Sequence, residues 1–209
     1  MRFEKEFKEA VSNLPEKEKD KLILRLLKHD LALANQLYFE LLSVQTKEER
    51  RTEMEAIVIN RVADMSQSFF SPGYLLMDMR YLSGEITEHV KTTKDKLGEV
   101  SLNLLMLNEV LKQNSSRISN LNPGKFRKIA IYIIARAFKL LVLIRSMHED
   151  YFTDFKSDLF TLGELIGQND HLMRTAIHNG LDVNWLLSGS IPDDIKQQHE
   201  RLKQQGFLK

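Results

Sequence analysis

The sequence predicts an all-α protein, a single-domain helical bundle or short α–α superhelix of about eight to ten helices. Two observations carry that expectation. Apolar residues recur at helical spacings of three and four along nearly all of the 209 residues, and no segment alternates with the period of two that a strand requires. The four prolines, Pro15, Pro72, Pro123 and Pro192, each stand where a periodic segment begins, the position at which a helix tolerates proline best. No linker is long enough to divide the chain, so residues 1–209 read as one helical domain, with 168–209 as a short C-terminal helical appendage to it.

Taken in order, Phe3 to Val11 makes a short opening helix. Asn13 is placed to cap a second one, with Pro15 near its first position and Leu22, Ile23, Leu26 and Leu27 as its apolar face. His29-Asp30 gives a break, Asp30 serving as N-cap of a helix through Leu42. Thr46 followed by Glu49 is a capping box for a helix to about Gln67. Ser71-Pro72 opens the next through Leu82, and Ser83-Gly84 is a point for a kink or restart. From Lys94 to Gln113 the pattern is cleanest: Leu97, Val100, Leu104, Leu107 and Leu111 alternate spacings of three and four and form one stripe. Left exposed, that stripe would pair two copies of the chain.

Asn122-Pro123 starts a helix to about Met147 that is apolar on most faces and is expected at the centre. Another spans about Glu149 to Ile166, ended by Gly167. Short helices follow around Leu172 and Trp185, and a last one runs from Pro192 to Gly206. Trp185, the only tryptophan, is expected as a packing anchor, and Met77, Met79 and Met106 as core fillers.

Composition narrows the function classes. Thirty basic residues meet twenty-nine acidic ones, so the net charge of +1 favours no partner by itself. The absence of cysteine excludes disulfides, thiolate metal sites and a cysteine nucleophile, and fits a reducing compartment. The charged start, MRFEKEFKEA, lacks the apolar run of a signal peptide. The most apolar stretch, Ile129 to Ile144, is short and carries Arg136 and Lys139. A soluble cytoplasmic protein without a membrane span is the expectation.

The strongest local feature is a charge block. From Val110 to His148 there is no acidic residue but there are eight basic ones. At 100° per residue, Lys125, Lys128, Arg136 and Lys139 share one helix face with Tyr132 between them, an arrangement suited to an anionic ligand. The competing reading pairs these cations with Asp150, Asp154 and Asp158. Those three lie at i, i+4 and i+8 and also suggest magnesium, for which one helix face supplies too few ligands. A second cluster joins Asp78, Glu85 and His89, whose angular positions agree within about 40°, with Glu88 adjacent. A carboxylate one turn before a histidine can share a divalent metal or orient a base.

Several motifs resemble known families in part. Glu85 to Glu88 resembles the Glu-x-x-Glu of all-α nucleoside triphosphate pyrophosphohydrolases, but the second Glu-x-x-Asp does not follow. His29-Asp30 is similar to the doublet of metal-dependent phosphohydrolases, without their earlier histidine. The repeated Glu-x-x-His of ferritin-like bundles and the glycine-rich phosphate loop are absent. Leu162 to Ala176, LGELIGQNDHLMRTA, resembles a helix-turn-helix with Gly163 in its first helix, Gly167 in the turn, and Ile166 and Met173 packing. Gly180 to Gly189, GLDVNWLLSG, is similar to the closing segment of phage-repressor-type DNA-binding domains, although the helix that normally separates the two is missing. From Glu149 to Gly189 seven acidic residues face two basic ones, which disfavours nucleic acid as partner.

The sequence therefore points first to a non-enzymatic binding or scaffold module, for a protein partner, a second copy or an anionic ligand, with no cofactor. The alternative is a metal-dependent nucleotide or phosphate hydrolase using Asp78, Glu85, Glu88 and His89. DNA binding through residues 162–176 comes after both.

Overall fold

Local signals decide where most of the helices begin. Thr46 Oγ1 accepts from the Glu49 N–H at 3.1 Å while Glu49 Oε2 accepts from the Thr46 N–H at 2.8 Å, closing the expected capping box. Asp30, Ser71 and Asn122 each accept a first-turn N–H as expected. Asn13 does not. The second helix starts at Glu16 with Pro15 in the cap position, and Asn13 instead closes the first helix, its N–H donating to the Glu9 carbonyl at 2.9 Å.

The structure is a computed structural model that describes residues 3–119 and 122–209. Among them are eleven α-helices, a 3₁₀ turn and no strand, one helix beyond the expected eight to ten. They are α1 (Lys5–Ser12), α2 (Glu16–His29), α3 (Leu31–Leu42), α4 (Lys47–Gln67), α5 (Pro72–Thr93), α6 (Lys96–Ser119), α7 (Pro123–Arg145), a 3₁₀ turn over Glu149–Tyr151, α8 (Phe152–Gly167), α9 (Asp170–His178), α10 (Val183–Ser188) and α11 (Ile195–Gln204). No helix among the described residues is long and apolar enough to cross a membrane. Helix α5 runs unbroken through Ser83-Gly84. Ser83 is buried, and a Cβ at Gly84 would meet nothing within 4 Å, so the glycine costs only helix propensity. Lys94, left-handed at φ 55°, separates α5 from α6.

Helices α6 and α7 share the centre of the bundle. Helices α4 and α5 pack on one side of them and α8 to α11 on the other. Val100, Leu104 and Leu107 on α6 and Ile133, Ala137 and Phe138 on α7 have no exposed surface, so the clean stripe of the sequence is core and leaves no face for a second copy. Trp185 lies half-buried, edge to face with Phe138 at 6.0 Å. Met79 and Met106 are buried fillers, but Met77 is 40% exposed, because it lies outside the strip of α5 that faces its neighbours. Leu172, Leu186 and Ile195, from residues 168–209, belong to the same core cluster as α4 to α7.

Three asparagines on α6 fix its neighbours. Asn103 Oδ1 accepts from Arg136 on α7 at 3.0 Å, and Asn108 Nδ2 donates to the Asp158 carbonyl on α8 at 3.0 Å. Asn114 Nδ2 donates to Ser66 Oγ on α4 at 2.8 Å. Each bond satisfies a buried polar group only in the observed register. At the foot of α6, Asp95 is held by Arg51 through two bonds of 2.6 and 2.8 Å and accepts the Gly98 N–H at 2.9 Å. A Cβ on Gly98 would lie 2.3 Å from that carboxylate, so glycine is required there.

Residues of α1, α2 and α3 are nowhere buried. Helix α3 rests on α5 and α2 on α3, as an arm outside the main core.

Candidate anion-binding site

The cationic stripe of α7 divides in two. Tyr132 is half-buried and carries guanidinium groups near its ring, Arg136 at 5.3 Å and Arg80 of α5 at 5.9 Å. Arg136 also donates to Tyr132 Oη at 3.1 Å, and Lys139 pairs with Glu99 of α6 at 3.3 Å. These three residues fasten α7 to α5 and α6. Lys125 and Lys128, two turns and one turn nearer the helix start than Tyr132, are exposed, and no ion pair reaches them among the described residues. The acidic residues 150, 154 and 158 do not pair with the stripe. Asp150 lies in the 3₁₀ turn beside His148 at 3.1 Å, off the face of Asp154 and Asp158 on α8. Of the basic block, Arg145 reaches acidic partners there, Glu149 at 3.9 Å and Asp193.

A different face of α7, about 160° round from Lys125, opens on a cleft of about 410 Å³. Its walls are the first turns of α7, the length of α9 and the C-terminal tail. The tail is folded back by the end of α11. Gly206, at φ 91°, lets the Phe207 N–H reach the Leu202 carbonyl at 3.0 Å and its own N–H reach Lys203 at 3.1 Å. Asn179, buried at the end of α9, then accepts from the Leu208 N–H at 2.8 Å and pins the tail against α9. The floor is apolar, from Phe126, Ala130, Ile131 and Phe207. Arg127 of α7, Arg174 of α9 and Lys209 stand at its rim with His171 and His178, and among the described residues no aspartate or glutamate lines it. The rings of His171 and His178 lie 6.3 Å from Phe126 and 5.5 Å from Phe207.

The cluster on α5 is distributed otherwise. Asp78 and Glu85 line a cleft of about 460 Å³ with Asp64 and Arg61, and Glu85 accepts from Arg61 at 3.2 Å. Glu88 pairs with Lys91 at 2.8 Å outside that cleft. His89 is half-buried with its Nε2 unbonded. Burial, then the nearby Arg50, pushes its pKa below the usual histidine value. No three His, Asp or Glu side chains among the described residues are placed to hold a metal ion.

The helix-turn-helix segment corresponds to α8 and α9 joined through residues 168–169. Gly163 is small for a packing reason: a Cβ there would lie 2.9 Å from Leu187 and 3.1 Å from Leu186, so α10 sits directly on α8. Helix α9 packs on α7 and α8.

Sequence reading overlooked His171, Arg174 and His178. Their spacing of three and four puts them on one face of α9, a signal hidden by the acidic total of the surrounding segment. Arg127 was counted in the basic block but lies off its stripe. Comparisons with family models, with curated proteins and with solved structures give no match, so the cleft is interpreted through its chemistry alone.

Proposed function

We propose that this chain is a non-catalytic helical binding module that takes an acidic, partly apolar segment of a protein partner in the cleft between α7, α9 and the C-terminal tail. One observation carries the reading: Arg127, Arg174 and Lys209 line a cleft with an apolar floor, and no carboxylate side chain among the described residues lines it. Cations without internal partners keep their charge for a ligand, and the apolar floor gives the ligand surface to bury. The stripe side is different, since Arg136 and Lys139 already have partners inside the fold.

The test is fluorescence anisotropy with a labelled peptide of alternating glutamate and leucine. Replacing Arg127 and Arg174 together by glutamate should weaken binding by roughly tenfold or more, and rising salt should weaken it in the parent chain. Lys125→Glu with Lys128→Glu should leave affinity within about threefold. The reverse ranking moves the site to the stripe, and absence of binding at low salt removes the reading.

A further inference from the structure

We propose that α3 pairs antiparallel with α3 of a second copy of this chain. The arm gives the first reason. Helices α1 to α3 hold 8, 14 and 12 residues and bury none. Helices of that length gain little stability from hydrogen bonding alone and depend on a covered apolar face. Here the uncovered surface is large: Leu31, Leu41 and Leu42 are 72%, 76% and 67% exposed, and Ile23, Leu24 and Leu26 on α2 are half exposed or more. On α3 alone Leu31, Tyr38, Leu41 and Leu42 are each two-thirds exposed or more, an apolar surface that the described residues leave open.

The pattern on α3 identifies the partner. Leu31, Asn35, Tyr38 and Leu42 follow at spacings of four, three and four and fall within about 60° on the helix. The half-buried Ala34, Leu37 and Phe39 flank this stripe, and its own members are exposed. Turned end for end, the stripe is its own complement. Leu31 meets Leu42 of the second copy, and Asn35 meets Tyr38, amide against hydroxyl. A narrow seam with one polar residue is how a helix recognises another helix and fixes register. A helix lying on lipid needs cations on its polar side. Glu40 is the only charged residue of α3, set opposite the seam and bonded by Gln36 at 2.8 Å. The pairing does not involve the cleft of α7 and α9 and stands or falls without it.

Sedimentation equilibrium of the full chain across the micromolar range tests the pairing. The dimer mass is expected. Leu31→Glu should weaken association roughly 100-fold, with helix content unchanged by circular dichroism. Adding Leu42→Lys to that variant sets opposite charges across the antiparallel seam and should restore the dimer, a rescue that a misfolded arm cannot give. A monomer at every concentration overturns the proposal, as does a dimer insensitive to Leu31→Glu. Binding of a monomeric chain to phosphatidylserine vesicles, lost in the same variant, would assign the arm to a lipid surface instead.

Discussion

Helices α2 and α6 have equally regular apolar faces and opposite fates. On α6, Leu104 and Leu107 have no exposed surface, whereas on α2 Ile23 and Leu26 are 50% and 55% exposed. Periodicity therefore reports that a helix has a face to cover, and not what covers it. Helix α6 is surrounded by α4, α5, α7 and α8, while α2 has α3 for its main neighbour. The largest expected effect exploits that contrast. Leu107→Ala removes a fully enclosed side chain and should cost about 3–5 kcal/mol, read as a shift in urea unfolding. Leu26→Ala, measured on the monomeric Leu31→Glu background, should cost under about 1 kcal/mol. Similar costs at both positions would show that the arm is covered within one chain.

Ion pairs give the same contrast at smaller scale. Asp95 is 4% exposed and fixed by Arg51 from α4, which its hydrogen bonds hold charged more firmly than usual. Glu85 and Arg61 are 43% and 57% exposed. Asp95→Ala leaves a partly buried guanidinium unpaired and frees the start of α6, at about 2–4 kcal/mol. Glu85→Gln should change stability by less than about 0.5 kcal/mol, since solvent screens the pair. Thermal unfolding of both variants checks the ranking, and an equal loss in the two would mean that the α5 cluster is more tightly built than its exposure indicates.

The same distinction explains what was legible beforehand. Helix starts depend on a few adjacent residues, so Thr46-Glu49, Asp30, Ser71-Pro72 and Asn122-Pro123 could be read directly. Asn13 failed because Pro15 occupies the cap position and the asparagine was left to close the preceding helix. The functional face failed for a different reason. A helical wheel puts Arg136 and Lys139 beside Lys125, but Asn103 and Glu99, partners from a helix more than thirty positions away in sequence, take them up. Arg127 and Arg174 line one cleft only because α9 packs on α7, and Lys209 joins them because the Gly206 turn and Asn179 fold the tail back, which no local pattern reveals.

His199 gives the smallest effect and the one that separates the two sides of the bundle most cleanly. It is 8% exposed, stacked on Phe138 at 5.1 Å, and its Nε2 has no bonding partner. Burial, then the neighbouring Lys203, pushes its pKa below the ordinary histidine value of 6.5, with Glu200 opposing and Lys139 adding to the shift. Below pH 6.5 the unfolded chain therefore holds a proton that the folded chain excludes. The contribution of the neutral ring is fully present above pH 6.5 and is lost as the pH falls toward the lowered folded value. His89 shifts in the same direction on the α4–α5 side. Melting temperature should fall from pH 7.5 to 5.5, and His199→Gln should flatten part of that slope while His89→Gln flattens another part. A slope unchanged by His199→Gln would mean that the ring protonates in place, with water reaching the seam between α7 and α11.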